Sequence, residues 1–409
     1  MANSNKKNKS MDGMWKKGRA PIVPVTILTG FLGAGKTTLL NHLLRDATHG
    51  MKFAVIENEF GEVGIDEKTL SENVEEELIE VINGCICCTV RGDLVKSLNS
   101  LYGRISQFNG VIIETTGLAD PAPVCQTFFI DEEIKKKYRL DSVITVVDSN
   151  NILERLAEVK PEGVENESVE QVAFADKILL NKIDLSNEAE LVKIEKKLKS
   201  LNPTAPIQRT KDAVISPKDV LNLQAFELDR VLDFDPEFLN EEAEHEHDDS
   251  VTSVGVKVEG SVQQKMLEAW IQRLITEDGA NLYRYKGIIS VKGVEEKFIF
   301  QGVGMLFSAT YSDQKWKAGE KRESRFVFIG KNLDHDMYRN GFLACKADAP
   351  LRFSVGDVVE ANVGDFQLAK ILKQWDEGNA YRLELQNVSK TNVWAPIDLD
   401  CYIRAASKA

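Results

Sequence analysis

Gly30, Gly33 and Gly35, followed by Lys36, Thr37 and Thr38, have a spacing that can cradle phosphate groups. Glycines permit a sharp turn whose successive N–H groups point inward; the lysine ammonium reaches the outer phosphates and the first threonine hydroxyl completes a Mg²⁺ shell. Ala34 sits inside the same turn. Asn181-Lys182-Ile183-Asp184 adds a base reader. The Asp184 carboxylate can accept from the N1–H and 2-amino group of guanine, a pair that adenine does not offer. Asn181 can brace the loop or touch N7, and the Lys182 stem can lie across the base. Thr210 is a further candidate contact to guanine. Glu114 closes the apolar run Val111-Ile112-Ile113 and can hold a water of the Mg²⁺ shell, while the N–H of Gly117 can meet the γ-phosphate. Lys36, Thr37 and Glu114 are the expected catalytic set, with GTP and Mg²⁺ as ligands. No glutamine follows Gly117 to position water, which predicts slow intrinsic turnover.

Three of the six cysteines, Cys85, Cys87 and Cys88, fall within four positions. Without a cysteine ladder, a disulfide framework is a poor reading, and thiolates are soft ligands suited to Zn²⁺ and Cu⁺. Cys85 and Cys87 can point to one side of an extended segment, with Cys88 as a ligand or an exchange ligand. Core-filling cysteines and a redox pair are the other readings. Three thiols leave a tetrahedral zinc site open, as delivery requires. Acidic residues between Glu57 and Glu67 follow another apolar run, Phe53 to Ile56, and stand where ligand loops gather at strand ends.

These motifs, in this order and spacing, resemble the CobW-type metallochaperone GTPases: the loop 30–38, Glu57-Asn58-Glu59-Phe60-Gly61, Gly64-Ile65-Asp66, Gly84-Cys85-Ile86-Cys87-Cys88, Glu114-Thr115-Thr116-Gly117 and Asn181-Lys182-Ile183-Asp184. The zinc-regulated GTPase metalloprotein activators are the nearest subgroup, and the resemblance runs from about residue 22 to 345. It implies GTP hydrolysis coupled to transfer of zinc, or a related divalent metal, to a client metalloprotein. The zinc ligands would be drawn from Cys85, Cys87 and Cys88, with Glu59 and Asp66 contributing from a switch-like segment. A regulatory GTP-binding protein with a permanent structural metal is the alternative. The short Cys-Pro docking element of members that activate methionine aminopeptidase is missing before Pro21, which puts that client in doubt.

Positioning such residues takes an α/β P-loop domain with a mostly parallel sheet, assigned to 21–228 after a flexible basic tail, 1–20. Core strands are expected at 22–28, 53–56, 111–113, 142–147 and 177–180, a last strand and turn at 206–210, and helices after Thr37 and at 151–159. The acidic segment 229–250 reads as a linker, in which His245 and His247 could capture metal weakly. An α+β module follows over 251–347, with strands at 251–258, 287–291, 297–307 and 325–329 and helices at 261–276 and from Leu333 to Cys345. Arg284 and Lys286 are read there as solvated, or as facing phosphate or a client, and Cys345 as core. Segment 351–409 has short strands and turns and is expected to form a small SH3- or Tudor-like β-barrel. Trp375, Tyr381 and Trp394 would fill its core or offer a peptide-binding surface, with Asp398, Asp400 and Arg404 as a charged rim and Asp376 and Glu377 in a turn.

With 409 residues, 43% of them hydrophobic, the chain can build two or three cores. A net charge of -13 and no long apolar run argue against nucleic-acid and membrane partners. The Lys135-Lys136-Lys137 run reads as a solvated face. The expected compartment is the cytoplasm, with organellar targeting left open, and homo-oligomerisation stays an open reading beside the client.

Overall fold

The computed structural model describes residues 22–57, 90–104, 108–161, 164, 166–225 and 251–406. They divide into two compact units. The first draws its described residues from Met1–Asn151, Lys177–Ser186 and Gln208–Gln224, and the second from Ile152–Asp176, Asn187–Ile207 and Ala225–Ala409.

Six strands form the first sheet: β1 (Val23–Thr29), β2 (Phe53–Glu57), β3 (Gly110–Glu114), β4 (Tyr138–Asp148), β5 (Lys177–Asn181) and β6 (Ile207–Arg209), in the order β2-β3-β1-β4-β5-β6. β1 to β5 run parallel. Their Val/Ile/Leu content suits burial on both faces, and β3 is buried at every position. The first unit also contains α1 (Lys36–Arg45), α2 (Val90–Tyr102), α3 (Ala122–Ile130) and α4 (Glu132–Lys137). Asp131 caps α4 by accepting from the N–H groups of Glu133 and Ile134. Lys135 and Lys136 pair with Glu132 and Glu133 on its exposed face, as expected for a solvated run. The Lys137 side chain is only 25% exposed and donates to Asn99 Oδ1 at 2.7 Å over the Tyr102 ring, so it is not part of that face.

In the second unit, α5 (Ile152–Leu156), α6 (Glu167–Phe174) and α7 (Glu188–Leu201) precede an antiparallel sheet. Its strands are β7 (Val251–Glu259), β8 (Leu282–Ile289), β9 (Glu296–Val303), β10 (Leu306–Lys315) and β11 (Glu323–Lys331), ordered β10-β9-β8-β11-β7. α8 (Gln264–Asp278) and α9 (His335–Ala344) complete the module. The apolar stripe of α8 puts Trp270 among Phe326, Phe328 and Phe342. Trp270 is 3% exposed, and truncating it to alanine should cost about 3–5 kcal/mol. Cys345 is fully buried, as expected.

The single strand expected at 297–307 is instead the hairpin β9–β10. Gly304, at φ 59°, turns the chain between Val303 and Leu306, and its turn signal was hidden by the apolar residues on either side. Arg284 and Lys286 are not solvated. Arg284 is 2% exposed, and its guanidinium pairs with Asp176 while Nη1 donates to Phe174 O at 2.7 Å. Lys286 Nζ donates to Asp176 Oδ1 at 2.7 Å and to Ala225 O at 2.9 Å.

The C-terminal strands β12 (Val358–Asn362), β13 (Phe366–Asp376), β14 (Asn379–Leu385), β15 (Asn392–Ala395) and β16 (Ile403–Ala405) form an antiparallel sheet ordered β15-β14-β13-β12-β16. Among the described residues the ladder ends at β15 and β16 without pairing them, so the expected barrel closure is not present in the ladder. One face shares its core with α8, whose Ala269 carbonyl accepts from Tyr402 Oη at 3.2 Å. Tyr381 is fully buried and donates to Asp398 Oδ2 at 2.8 Å, so it belongs to the core and not to a peptide surface. Trp375 packs partly buried against that core, while Trp394 stays exposed. Asp376 is buried beneath the turn, taking hydrogen bonds from Lys373 Nζ and Trp394 Nε1. The rim is a set of ion pairs: Arg352 with Asp398 and Asp400, and Arg404 with Glu360.

Candidate nucleotide site

In the first sheet, β1, β3, β4 and β5 end side by side, so the loops that follow them gather at one edge. β1 ends at Thr29 and passes into the glycine loop 30–35, with Gly30, Gly33 and Gly35 all at positive φ. Gly35 is required twice over. Its φ is 112°, and a Cβ there would lie 2.4 Å from Asn181 Nδ2. α1 then starts at Lys36 with no side-chain cap and no acidic residue in its first turn, which leaves the N–H groups of a helix N-terminus open to an anion. Lys36 is 7% exposed, and its Nζ arches back to donate to Gly30 O at 2.7 Å and Phe31 O at 3.4 Å. Thr37 and Thr38 are exposed on the first turn.

Thr37 Oγ1 donates to Glu114 Oε1 at 2.8 Å, joining the helix start to the end of β3. A hydroxyl and a buried carboxylate held this closely are hard oxygen donors of the type Mg²⁺ takes, directly or through water. The residues present therefore fit the ion. Gly117 stands over the loop: a Cβ on it would lie 2.4 Å from the Leu32 N. Leu32 and Leu118 are both 76% exposed.

Asn181 braces the site. Its Nδ2 donates to Ala34 O at 3.0 Å, and its Oδ1 accepts from Thr210 Oγ1 at 3.2 Å and Ala213 N at 2.9 Å. Of its two expected roles the structure shows the bracing one, and the Thr210 hydroxyl is committed to Asn181. Lys182 takes a left-handed backbone, φ 59°, and its Nζ donates to Asp148 Oδ2 at 2.9 Å. Asp184 projects from a short 3₁₀ turn with its side chain 41% exposed and the Lys211 ammonium 3.8 Å away.

Sequence reasoning passed over two contributors here, and a half-buried acid nearby in the chain. Asp148, directly after the strand expected at 142–147, anchors Lys182. Ser149 Oγ donates to Lys182 O at 2.8 Å and accepts from Ser186 Oγ at 2.9 Å, fixing the loop from both sides. Asp120, in the loop after Gly117, accepts from Ala122 N at 2.7 Å, and burial pushes its carboxyl above the usual carboxylate range against that hydrogen bond.

The sequence profile of the CobW/HypB/UreG nucleotide-binding domain matches residues 24–209, and that of the cobalamin synthesis protein CobW C-terminal domain matches 251–346. The chain is 37% identical over 325 residues to the zinc chaperone YjiA of Escherichia coli, spanning 78% of this chain and 98% of that protein. The chain belongs to the CobW family. It is a P-loop GTPase with the CobW C-terminal domain attached, and the sheet β12–β16 lies beyond the second match. Zinc-regulated GTPase metalloprotein activator 1 of Schizosaccharomyces pombe is 32% identical over 348 residues, 76% of this chain and 83% of that one. The crystal structure of Zn(II)-bound YjiA GTPase from E. coli aligns with TM-score 0.62 and 32% identity, over 80% of this chain and 99% of the YjiA chain.

The proposed metal residues Cys85, Cys87, Cys88, Glu59 and Asp66, and the linker histidines His245 and His247, lie outside the described residues. Among the described residues no group of three or more His, Cys, Asp or Glu is placed to hold a metal ion, and no helix is long and apolar enough to cross a membrane.

Proposed function

We propose that this CobW-family GTPase is a metallochaperone that binds zinc at Cys85, Cys87 and Cys88 and hands it to a client metalloprotein as GTP is hydrolysed. The Thr37–Glu114 contact carries the nucleotide half of this reading, because it joins the helix start to a strand end where the γ-phosphate would be sensed. When bound, Mg²⁺ would neutralise phosphate charge, with Thr37 and Glu114 holding it. Lys36 would exchange the carbonyls of Gly30 and Phe31 for phosphate oxygens, and the N–H groups of the loop and first turn would bind the rest. Asp184 reads guanine, in keeping with its exposure at the loop tip. Asp120 is the titratable group of the loop after Gly117 and is our candidate to hold water there. The metal half rests on the thiolate chemistry of the cysteine triplet and on the zinc-chaperone relatives, YjiA among them.

Zinc titration of the nucleotide-free, GTP-bound and GDP-bound protein tests the coupling, repeated with Cys85→Ser, Cys87→Ser and Cys88→Ser. Tight binding that depends on nucleotide state and weakens on loss of Cys85 or Cys87 is expected. Equal zinc affinity in all three states would replace delivery with a permanent structural metal.

A further inference from the structure

The antiparallel sheet of the CobW C-terminal domain has two unlike edges. At one, β7 is packed by α7 and α9, and Ser253 Oγ reaches Ser200 O at 3.4 Å. At the other, β10 pairs with β9 alone among the described residues and is exposed over much of its length. Leu306 to Tyr311 carry no charge and no proline, and their register against β9 is unbroken, shifting only after Tyr311, so the devices that normally guard an edge are missing from this stretch.

The tight turn at Gly304 fixes which backbone groups face outward. A two-residue hairpin makes Val303 and Leu306 its first hydrogen-bonded pair, so residues 306, 308 and 310 address β9. Phe307, Ala309 and Tyr311 therefore present their N–H and C=O groups to the open edge. Their side chains share the face that α8 covers: Phe307 lies against Phe300, Tyr311 against Phe298, and Tyr311 Oη reaches Gln264 Oε1 at 3.3 Å. Phe307 is 48% and Tyr311 38% exposed, so the layer between sheet and helix is left open at this edge.

We propose that β10 pairs antiparallel with β10 of a second copy of this chain, making one continuous sheet across a two-fold axis at Ala309. The occupant is argued from self-complementarity. In that register Ala309 meets Ala309 of the other copy and each Phe307 stands opposite a Tyr311. All three positions fall on the outward-bonding set, so each pair exchanges two backbone hydrogen bonds. Shifting the register by two residues separates the aromatic rings. Shifting it by four sets Phe307 opposite Lys315 in one direction and, in the other, sets Tyr311 opposite Val303, beyond the Gly304 turn where β10 has ended. The contact is isologous, as a closed dimer requires, and it covers the aromatic pair that the lone domain leaves half exposed.

Sedimentation equilibrium on the full chain, at about 1 to 100 µM, reads the association. A reversible dimer is expected. Ala309→Pro, which deletes an outward N–H and no bond to β9, should weaken it roughly tenfold or more, because the axis doubles each loss. Phe307→Glu and Tyr311→Lys should each give monomers, whereas the double variant should dimerise again, since each glutamate then faces a lysine. GTP hydrolysis and far-UV circular dichroism at wild-type levels establish that each variant is folded. A monomeric wild type overturns the proposal, including one that captures an extended peptide at β10. So does a folded single variant that dimerises like wild type, or a double variant that stays monomeric.

Discussion

Asn181 should act through the phosphate loop and not through the base, and Asn181→Ala separates the two. The side chain is 2% exposed and makes three hydrogen bonds, to Ala34 O, Thr210 Oγ1 and Ala213 N. Ala34 and Ala213 are at most 1% exposed, so water does not readily replace what the substitution removes. At about 1 kcal/mol net for each bond, the loss is about 3 kcal/mol. If all of it is felt at the loop, GTP and GDP both bind weaker by an upper limit on the order of 100-fold. Melting of the nucleotide-binding part should fall by roughly 6–12 °C. Isothermal titration with GTP, GDP and ATP gives the decisive comparison: the guanine nucleotides should lose affinity together while the preference for GTP over ATP persists. Asn181→Asp keeps the acceptor for Thr210 and Ala213 but sets an oxygen against the Ala34 carbonyl, so it should lose affinity while retaining part of the thermal stability. Guanine affinity within about twofold of wild type, or selective loss of guanine preference in Asn181→Ala, would refute the bracing argument.

Asp184→Ala should do the reverse, relaxing GTP-over-ATP discrimination with melting unchanged; competition binding in Mg²⁺ reads it, and a retained preference counts against the assignment. Glu114→Gln should slow hydrolysis more than it weakens GTP binding, as single-turnover rates beside equilibrium titration will show. Asp120→Asn should lower kcat with GTP affinity intact and should remove a titration from the acid limb of the pH–rate profile; an unaltered profile excludes the residue from water handling. Burial beside the Arg284 guanidinium pushes Lys286 from 10.5 down to about 8 despite Asp176, so the unfolded chain keeps this proton to higher pH than the fold does. The contribution of Lys286 to stability is therefore least favourable below pH 8 and improves as pH rises toward 10.5, a component of melting curves that should vanish in Lys286→Met.

The nucleotide site was legible because its chemistry is local. Gly30 to Thr38 are contiguous, and a strand must deliver them to a helix start, so the string implies its own geometry. Glu114 and Asp184 could be placed because each follows an apolar run that can only be a buried strand. The role of Asn181 could not be settled that way. Choosing between brace and base contact depends on the Ala34 carbonyl, 147 positions earlier, and on the Ala213 N–H, 32 positions later. The β9–β10 hairpin was missed for a different reason. Gly304-Met305 between apolar residues keeps the alternation of one long strand, and only the left-handed φ of Gly304 distinguishes the turn.

Charged residues were the least legible, because whether a charge is solvated depends on a partner that periodicity does not identify. Arg284 and Lys286 alternate along β8 like residues on a wet face, yet both meet Asp176, more than 100 positions away. Burial first, and the neighbouring Arg284 guanidinium second, depress the Lys286 pKa against the pull of the Asp176 carboxylate. Such an arrangement is weak evidence for net stability, since apolar replacements of buried ion pairs are often neutral or better. It does specify geometry. Arg284 donates to the last carbonyl of α6 and to Asp176, and Lys286 donates to Asp176 and to the Ala225 carbonyl. Through Asp176 and these two carbonyls, both cations tie β8 to the end of α6 in one register. Asp176 immediately precedes β5, whose last residue is Asn181. The chain thus runs in five residues from the carboxylate that fixes the C-terminal domain's central strand to the amide that braces the phosphate loop.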